Sequence, residues 1–156
     1  MDINFEWLEN TIFKCTLDDD ARELLSTLMD IKSFEAGEAI MHQGEQGGTL
    51  YILQSGRADV TFNNNGLNMR VASIQSGSLF GEISFLTGDN VSATVTAQNP
   101  STLYSLTRAA YAELMQKNQD LVFAMFTKML IDTSNTIRHM NKEQASMQQY
   151  ISGWKV

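Results

Sequence analysis

Apolar residues in the first thirty positions recur every three to four places, which is the spacing of one helix face. The apolar members of the first run are Phe5, Trp7, Leu8, Ile12 and Phe13. Asp18, Asp19 and Asp20 precede a second run, and acidic residues are favoured where a helix begins. The sequence therefore predicts two short helices, and the three aspartates indicate a helix start rather than a metal site.

From Ile31 onward the pattern changes to short apolar stretches separated by glycine or Asn-Gly turns. These stretches cover residues 31–34, 39–43, 50–53, 58–62, 67–74, 91–96 and 101–106. Short strands with a turn about every eight to twelve residues are typical of a β-sandwich or jelly roll. The predicted fold is therefore mainly β, a β-roll or jelly-roll barrel of about eight strands with flanking helices.

After the strands, a helical region starts at Thr107-Arg108, and Asn118 is placed to cap a much longer helix. No proline or glycine interrupts that helix before Gly153. A stripe with alternating spacings of three and four contains Phe126, Met129, Thr133, Thr136, Met140, Glu143, Met147 and Tyr150. For Phe126 and Met129 we expect packing in the core of the same chain as the default. A roll of this size leaves the later part of the long helix uncovered. The stripe from Phe126 to Met147 therefore predicts a parallel homodimer through the C-terminal helix.

The composition narrows the classes of partner. The chain has 156 residues, enough for one domain, and a net charge of -7, which is opposite to that of proteins that bind nucleic acids or anionic membranes. Its single cysteine, Cys15, allows no internal disulfide. The N-terminus lacks the pattern of a signal peptide, and no apolar run is long enough to cross a bilayer. We expect a cytoplasmic protein with no nucleic-acid or membrane partner.

No motif for catalysis or metal binding occurs in the chain. His42 and His139 lie far apart, and neither stands in a metal-ligand spacing. The nucleophile elbow of hydrolases, the P-loop and the dinucleotide-binding glycine pattern are all missing from the sequence. The sequence therefore predicts a protein that is not an enzyme and has no metal site.

The segment from Gly77 to Ala97 carries the candidate chemistry. Gly81 stands directly before Glu82 where a short helix is predicted, and Ser92 and Thr94 add hydroxyl groups at the next strand. Glycine permits close approach of a ligand, and a carboxylate accepts hydrogen bonds from hydroxyls. This pattern indicates a cradle for a hydroxylated, anionic ligand. Alternatively, Glu82 is only a carboxylate that stabilises the start of a helix.

The letters FGEISFLTG followed by SATV resemble the phosphate-binding cassette of the cyclic nucleotide-binding domain family. The run FEAGEAIMHQGEQGGTLYILQSGRADV resembles the first half of the barrel of that family. The resemblance implies that Glu82 holds the ribose 2′-hydroxyl, that Ser92 and Ala93 hold the cyclic phosphate, and that Thr136 contacts the base. The ligand-binding residues it implies are Val71, Ala72, Phe80, Gly81, Glu82, Ile83, Ser84, Val91, Ser92, Ala93 and Thr136.

The chain departs from the family pattern at one position. The family has an arginine where this chain has Val91, and no Arg or Lys lies between Gly77 and Ala97. We therefore expect a degenerate cassette that binds cAMP or cGMP weakly and requires no cofactor. Arg70, in the strand leading to the cassette, is the nearest replacement cation by sequence.

The resemblance also implies an organisation and a function. Residues 1–30 are assigned to N-terminal helices, 31–107 to the β-roll with the cassette at 77–97, and 108–156 to C-terminal helices, with no DNA-binding domain. The implied function is a stand-alone ligand-sensing regulatory module that signals to an unknown effector through its C-terminal helix. The alternative is a degenerate module for interaction or dimerisation that binds no nucleotide.

Overall fold

Residues 2–153, which the computed structural model describes, form eight strands and five α-helices. The helices are α1 (Phe5–Leu8, continued by a π-helical turn at Glu9–Phe13), α2 (Asp19–Leu28), α3 (Glu82–Thr87), α4 (Arg108–Lys117) and α5 (Gln119–Ser152). The strands are β1 (Met29–Phe34), β2 (Ala39–Met41), β3 (Thr49–Ser55), β4 (Arg57–Asn64), β5 (Leu67–Gln75), β6 (Leu79–Phe80), β7 (Thr94–Ala97) and β8 (Ser101–Thr107).

The strands pair antiparallel in two four-stranded sheets, with the orders β1-β8-β3-β6 and β2-β7-β4-β5. The prediction of a mainly β jelly roll is confirmed, although the two sheets do not close into a barrel. Strands β6 and β5 each form the edge of their sheet, and α5 passes along both of these edges. The next strand after α3 begins at Thr94, so the predicted strand start at Val91 is wrong by three residues.

Side-chain caps explain where the long elements begin. The Asp18 carboxylate accepts a hydrogen bond from the Ala21 N–H at 2.8 Å, which confirms the predicted helix start. The Asn118 side chain accepts one from the Leu121 N–H at 3.2 Å, as predicted for the start of α5. The structure describes α5 as 34 residues without interruption, so its length is about 50 Å at roughly 1.5 Å per residue.

The described part of the chain contains two clusters of buried apolar residues. One lies inside the roll and contains Val91 and Phe80, and the other joins the N-terminal helices to one sheet and to the beginning of α5. Met129 belongs to the second cluster and is only 3% exposed. Core packing, the default expectation for Met129, is therefore confirmed, and its membership of the predicted dimer stripe is wrong because its own chain already covers it. No helix within residues 2–153 has an apolar stretch long enough to cross a membrane.

Candidate functional site

A sharp turn at Gly81 joins β6 to α3 and positions the first residue of that helix, Glu82. Gly81 has a φ of 79°, a left-handed conformation that glycine adopts readily. A Cβ atom at this position would lie 2.7 Å from the carbonyl oxygen of Thr49. Just before the turn, the ring of Phe80 stacks on that of Tyr51 with centroids 5.3 Å apart. The turn therefore depends on glycine, and the turn is what holds Glu82 beside the edge of the roll.

Glu82 is a half-buried carboxylate in an unfavourable environment for negative charge. Its pKa is raised, chiefly because burial removes water from the carboxylate and further because Asp132 is nearby. The N–H of Glu82 itself opposes this rise in part. An ionised carboxylate only accepts hydrogen bonds. In its ionised form, Glu82 is thus suited to accept a hydrogen bond from a hydroxyl group of a ligand.

Asp132 connects the long helix α5 to the cassette. Its Oδ2 accepts a hydrogen bond from the Leu79 N–H at 3.1 Å, and its Oδ1 accepts one from Lys128 Nζ at 2.6 Å. Asp132 was not predicted from the sequence, because Leu79 and Asp132 are 53 positions apart and no local pattern marks such a contact. One sequence feature does mark Asp132 as a candidate: it lies four residues before Thr136, on the same face of the helix.

An open groove of about 550 Å³ lies between the edge strand β5 and α5. The residues that line it are Arg70, Val71, Ala72, Ser73, Asn135, Thr136, His139 and Glu143. Arg70 pairs with Asp59 at 3.2 Å, and His139 Nε2 lies 3.2 Å from a carboxylate oxygen of Glu143. The groove therefore combines a partly apolar wall with paired charged groups.

The structure brings three of the predicted ligand residues together in this groove, namely Val71, Ala72 and Thr136. The Thr136 hydroxyl donates to the carbonyl oxygen of Asp132 at 3.1 Å, one turn earlier in α5. Asp132 is also the residue whose negative charge helps to raise the pKa of Glu82. Along α5, the groove and the cassette are consequently neighbouring parts of one surface.

The other predicted residues lie in different environments. Ile83 is 56% exposed, whereas Ser84 is buried and its hydroxyl donates to the Gly81 carbonyl at 3.3 Å. Val91 is 5% exposed within the core of the roll. Ser92 is exposed, and Ala93 is partly buried. Their contact with a ligand stays a prediction, and the Ser84 hydroxyl already has a partner.

The family model for the cyclic nucleotide-binding domain matches residues 31–118, which is more than half of the chain. The chain belongs to this family. The relatedness suggested by the cassette letters is thereby confirmed, and the family is a ligand-binding regulatory one rather than a catalytic one. Whether Val91 makes the cassette degenerate stays a prediction.

Several known proteins are similar to this chain. A cGMP-dependent protein kinase of Eimeria tenella is 29% identical over 143 residues, covering 92% of this chain and 14% of the kinase. A solved cyclic nucleotide-binding domain from Methylobacillus flagellatus superposes with a TM-score of 0.77 at 22% identity, covering 89% of this chain and 81% of that one. The regulatory subunit of a cAMP-independent protein kinase A from Trypanosoma brucei gives a TM-score of 0.63 at 27% identity, covering 75% and 43% respectively. The chain thus spans a small part of the kinase it resembles.

Proposed function

We propose that this chain is a regulatory domain that binds a cyclic nucleotide-type ligand between the cassette, β5 and α5, and signals its occupancy through α5. The observation that carries this proposal is that α5 contacts both parts of the site. Asp132 of α5 bonds to the strand before Glu82, and Thr136 of α5 lines the groove. A ligand that contacts both parts changes the contacts of α5 with the roll, which is what a shift in its position requires.

Canonical cyclic nucleotides should bind weakly to this site. An arginine-phosphate contact contributes roughly 1.5–3 kcal/mol, so its replacement by Val91 costs about ten- to a hundredfold in affinity. We expect dissociation constants on the order of tens of micromolar or weaker for cAMP and cGMP. Val91→Arg should tighten binding, provided that the arginine leaves the core position that Val91 occupies.

We also propose a homodimer, through a face of α5 that the roll leaves uncovered. We call the residues of this face the outer stripe: Phe123, Phe126, Leu130, Thr133, Ile137, Met140, Gln144, Met147 and Ile151. They alternate at spacings of three and four, and their large apolar members are 40–72% exposed. Such a heptad pattern fits a second α-helix, and an identical stripe on a second copy supplies one.

The partner that receives the signal is an unidentified effector. The similar chain from T. brucei is the regulatory subunit of a cAMP-independent kinase, so regulatory chains of this fold include one described as independent of cAMP. That similarity, together with Val91, keeps a second function open, in which the chain is an interaction or dimerisation module that binds no nucleotide.

Titration calorimetry of the protein with cAMP and cGMP tests the proposal. Weak but saturable binding, lost in Glu82→Gln, supports a ligand-sensing domain. Hydrogen exchange then tests the signal, because ligand should change the protection of α5 near Asp132 and Thr136 but not that of α2. Absence of binding by any ribose-containing ligand, with the dimer intact, favours the interaction module instead.

A further inference from the structure

The helix that begins with Glu82 has few contacts of its own to keep it in place. Helix α3 has only six residues, and no side chain caps its first turn. Ile83 and Leu86 are 56% and 53% exposed, and the buried residues of the helix are Ser84 and Phe85. A helix this short is not stable by itself in water. Its position must therefore come from contacts with the rest of the protein.

One side chain from outside the cassette bonds directly to the end of α3. Arg108, the first residue of α4, donates from Nε to the carbonyl oxygen of Phe85 at 3.1 Å and from Nη2 to that of Ser84 at 3.2 Å. Nη2 also donates to the Phe85 carbonyl. The last carbonyls of a helix lack partners within the helix and carry partial negative charge. A guanidinium, with its donors in a fixed fork, is suited to bind two of them together.

Arg108 is itself held firmly against the roll. Its backbone N–H donates to the carbonyl oxygen of Gly48 at 3.1 Å, directly before β3. Gly88 leaves room for the guanidinium, since a Cβ added there would lie 3.3 Å from Arg108 Nη1. The ring of Phe85 meets that of Tyr111 in α4 edge to face, with centroids 5.2 Å apart. Helix α4 thus holds both the carbonyl group and the ring of Phe85.

The charge of Arg108 serves this contact rather than an ion pair. Among residues 2–153, no carboxylate lies within ion-pair distance of its guanidinium. A cation at the C-terminal end of a helix interacts favourably with the helix dipole. Hydrogen bonds from a charged donor are also stronger than those between neutral groups. Arg108 is therefore a strong anchor for a helix that has few others.

We infer that Arg108 is a positioning residue of the ligand site. By binding the C-terminal end of α3, it keeps Glu82, at the N-terminal end of the same helix, in place for the ligand. Six helical residues span about 9 Å, so Arg108 acts from the far end of α3 and not by touching the ligand. This inference rests on the proposed function, because it concerns the residue that holds a proposed ligand contact.

Hydrogen exchange of the ligand-free protein tests whether Arg108 holds α3. The amides to follow are those of Phe85 and Gly88, which donate to the carbonyl oxygens of Gly81 and Ser84. Arg108→Met keeps an unbranched apolar stem and removes the donors and the charge. It should speed exchange at both amides by about ten- to a hundredfold, as the loss of hydrogen bonds from a charged group implies. Arg108→Lys keeps the charge but lacks the fork, and its exchange rates should lie between those of Arg108→Met and the parent.

Asp18→Ala is the matched control, because it removes a side-chain hydrogen bond that belongs to a different helix. Asp18 caps α2 by accepting from the Ala21 N–H at 2.8 Å. Its loss should lower the stability to urea, but exchange at Phe85 and Gly88 should stay nearly unchanged, because a short helix opens locally. Equal acceleration in Asp18→Ala and Arg108→Met, or none in Arg108→Met, overturns the inference.

Calorimetric titration with cAMP and with cGMP tests the consequence for the ligand. Arg108→Met should weaken binding at least about threefold, since only molecules with α3 in place are competent to bind. Asp18→Ala should bind as the parent does. Unchanged affinity in Arg108→Met overturns the positioning role and leaves the proposed function standing. A parent that binds neither nucleotide overturns the proposed function, and the exchange rates alone then decide whether Arg108 holds α3.

Discussion

Replacing two residues of the outer stripe tests the proposed dimer directly. Ile137 is 52% exposed and Met140 is 53% exposed, and both belong to the face of α5 that the roll leaves uncovered. The variant Ile137→Glu/Met140→Glu places carboxylates at the centre of the proposed helix-helix contact. Neither residue belongs to the buried clusters, so the folded monomer should remain.

The magnitude follows from the exposed fractions. Complete burial of an aliphatic side chain contributes about 1.5–3 kcal/mol, so burial of the exposed half of one contributes about 0.8–1.5 kcal/mol. A symmetric dimer contains four such side chains, which gives about 3–6 kcal/mol before any cost for burying carboxylates. The dimer should therefore dissociate at least about a hundredfold more readily.

Sedimentation equilibrium over a range of protein concentrations measures this change. The control is Ala145→Glu/Gln149→Glu, which adds the same two charges at exposed positions of α5 that lie outside the outer stripe. We expect the control to sediment as the parent does. A monomeric parent, or equal weakening by both variants, would show that the outer stripe is not the interface.

Three further predictions concern the cassette. Asp132→Ala should lower the free energy of unfolding by about 1–2 kcal/mol in urea denaturation, since it leaves the Leu79 N–H without its partner, whereas Asp132→Asn should cost little. Glu82→Gln should raise the Tm of the ligand-free protein at pH 7. The pKa of Glu82 is raised in the folded protein, so the folded protein binds the proton of this carboxyl more tightly than the unfolded chain does. Ionised Glu82 therefore destabilises the fold increasingly as the pH rises through that raised pKa. The gain in Tm on Glu82→Gln should vanish below about pH 4.3, where the carboxyl is protonated in both states. Gly66→Ala should lower the free energy of unfolding by roughly 1–2 kcal/mol, the cost of a left-handed backbone alone, because a Cβ added at Gly66 meets nothing within 4 Å. Gly81→Ala should lower it by more, because a Cβ added there also meets the carbonyl oxygen of Thr49.

Most of the fold was predictable because local patterns determine it. Periodicity and glycine turns predicted the strands, and Asp18 and Asn118 predicted helix starts that their side-chain hydrogen bonds confirm. No strand was predicted at β6, because two residues carry no measurable alternation. Its pairing with β3 is a long-range contact that no window of sequence shows.

The site was less predictable for the same reason. The pattern around Gly81 predicted the turn, and Val71, Ala72 and Thr136 do share a groove. Asp132 was invisible, since its importance comes from a contact with Leu79 across the chain. The burial of Val91 was equally hidden, because a valine before a strand reads alike whether it faces a ligand or the core.

For α5, periodicity predicted a long helix with an apolar stripe but did not determine which face of the helix is exposed. Positions spaced by three and four can be read in two registers on α5, which share Phe126, Thr133, Met140 and Met147. Sequence spacing alone favoured the register through Met129 and Glu143, but the structure buries the first in the core and places the second in the groove. The other register, through Leu130 and Ile137, is the exposed one. On this arrangement the ligand-facing and partner-facing surfaces are different sides of one helix. A ligand that rotates α5 against the roll must then also turn the outer stripe, and that geometry is the coupling the proposed function requires.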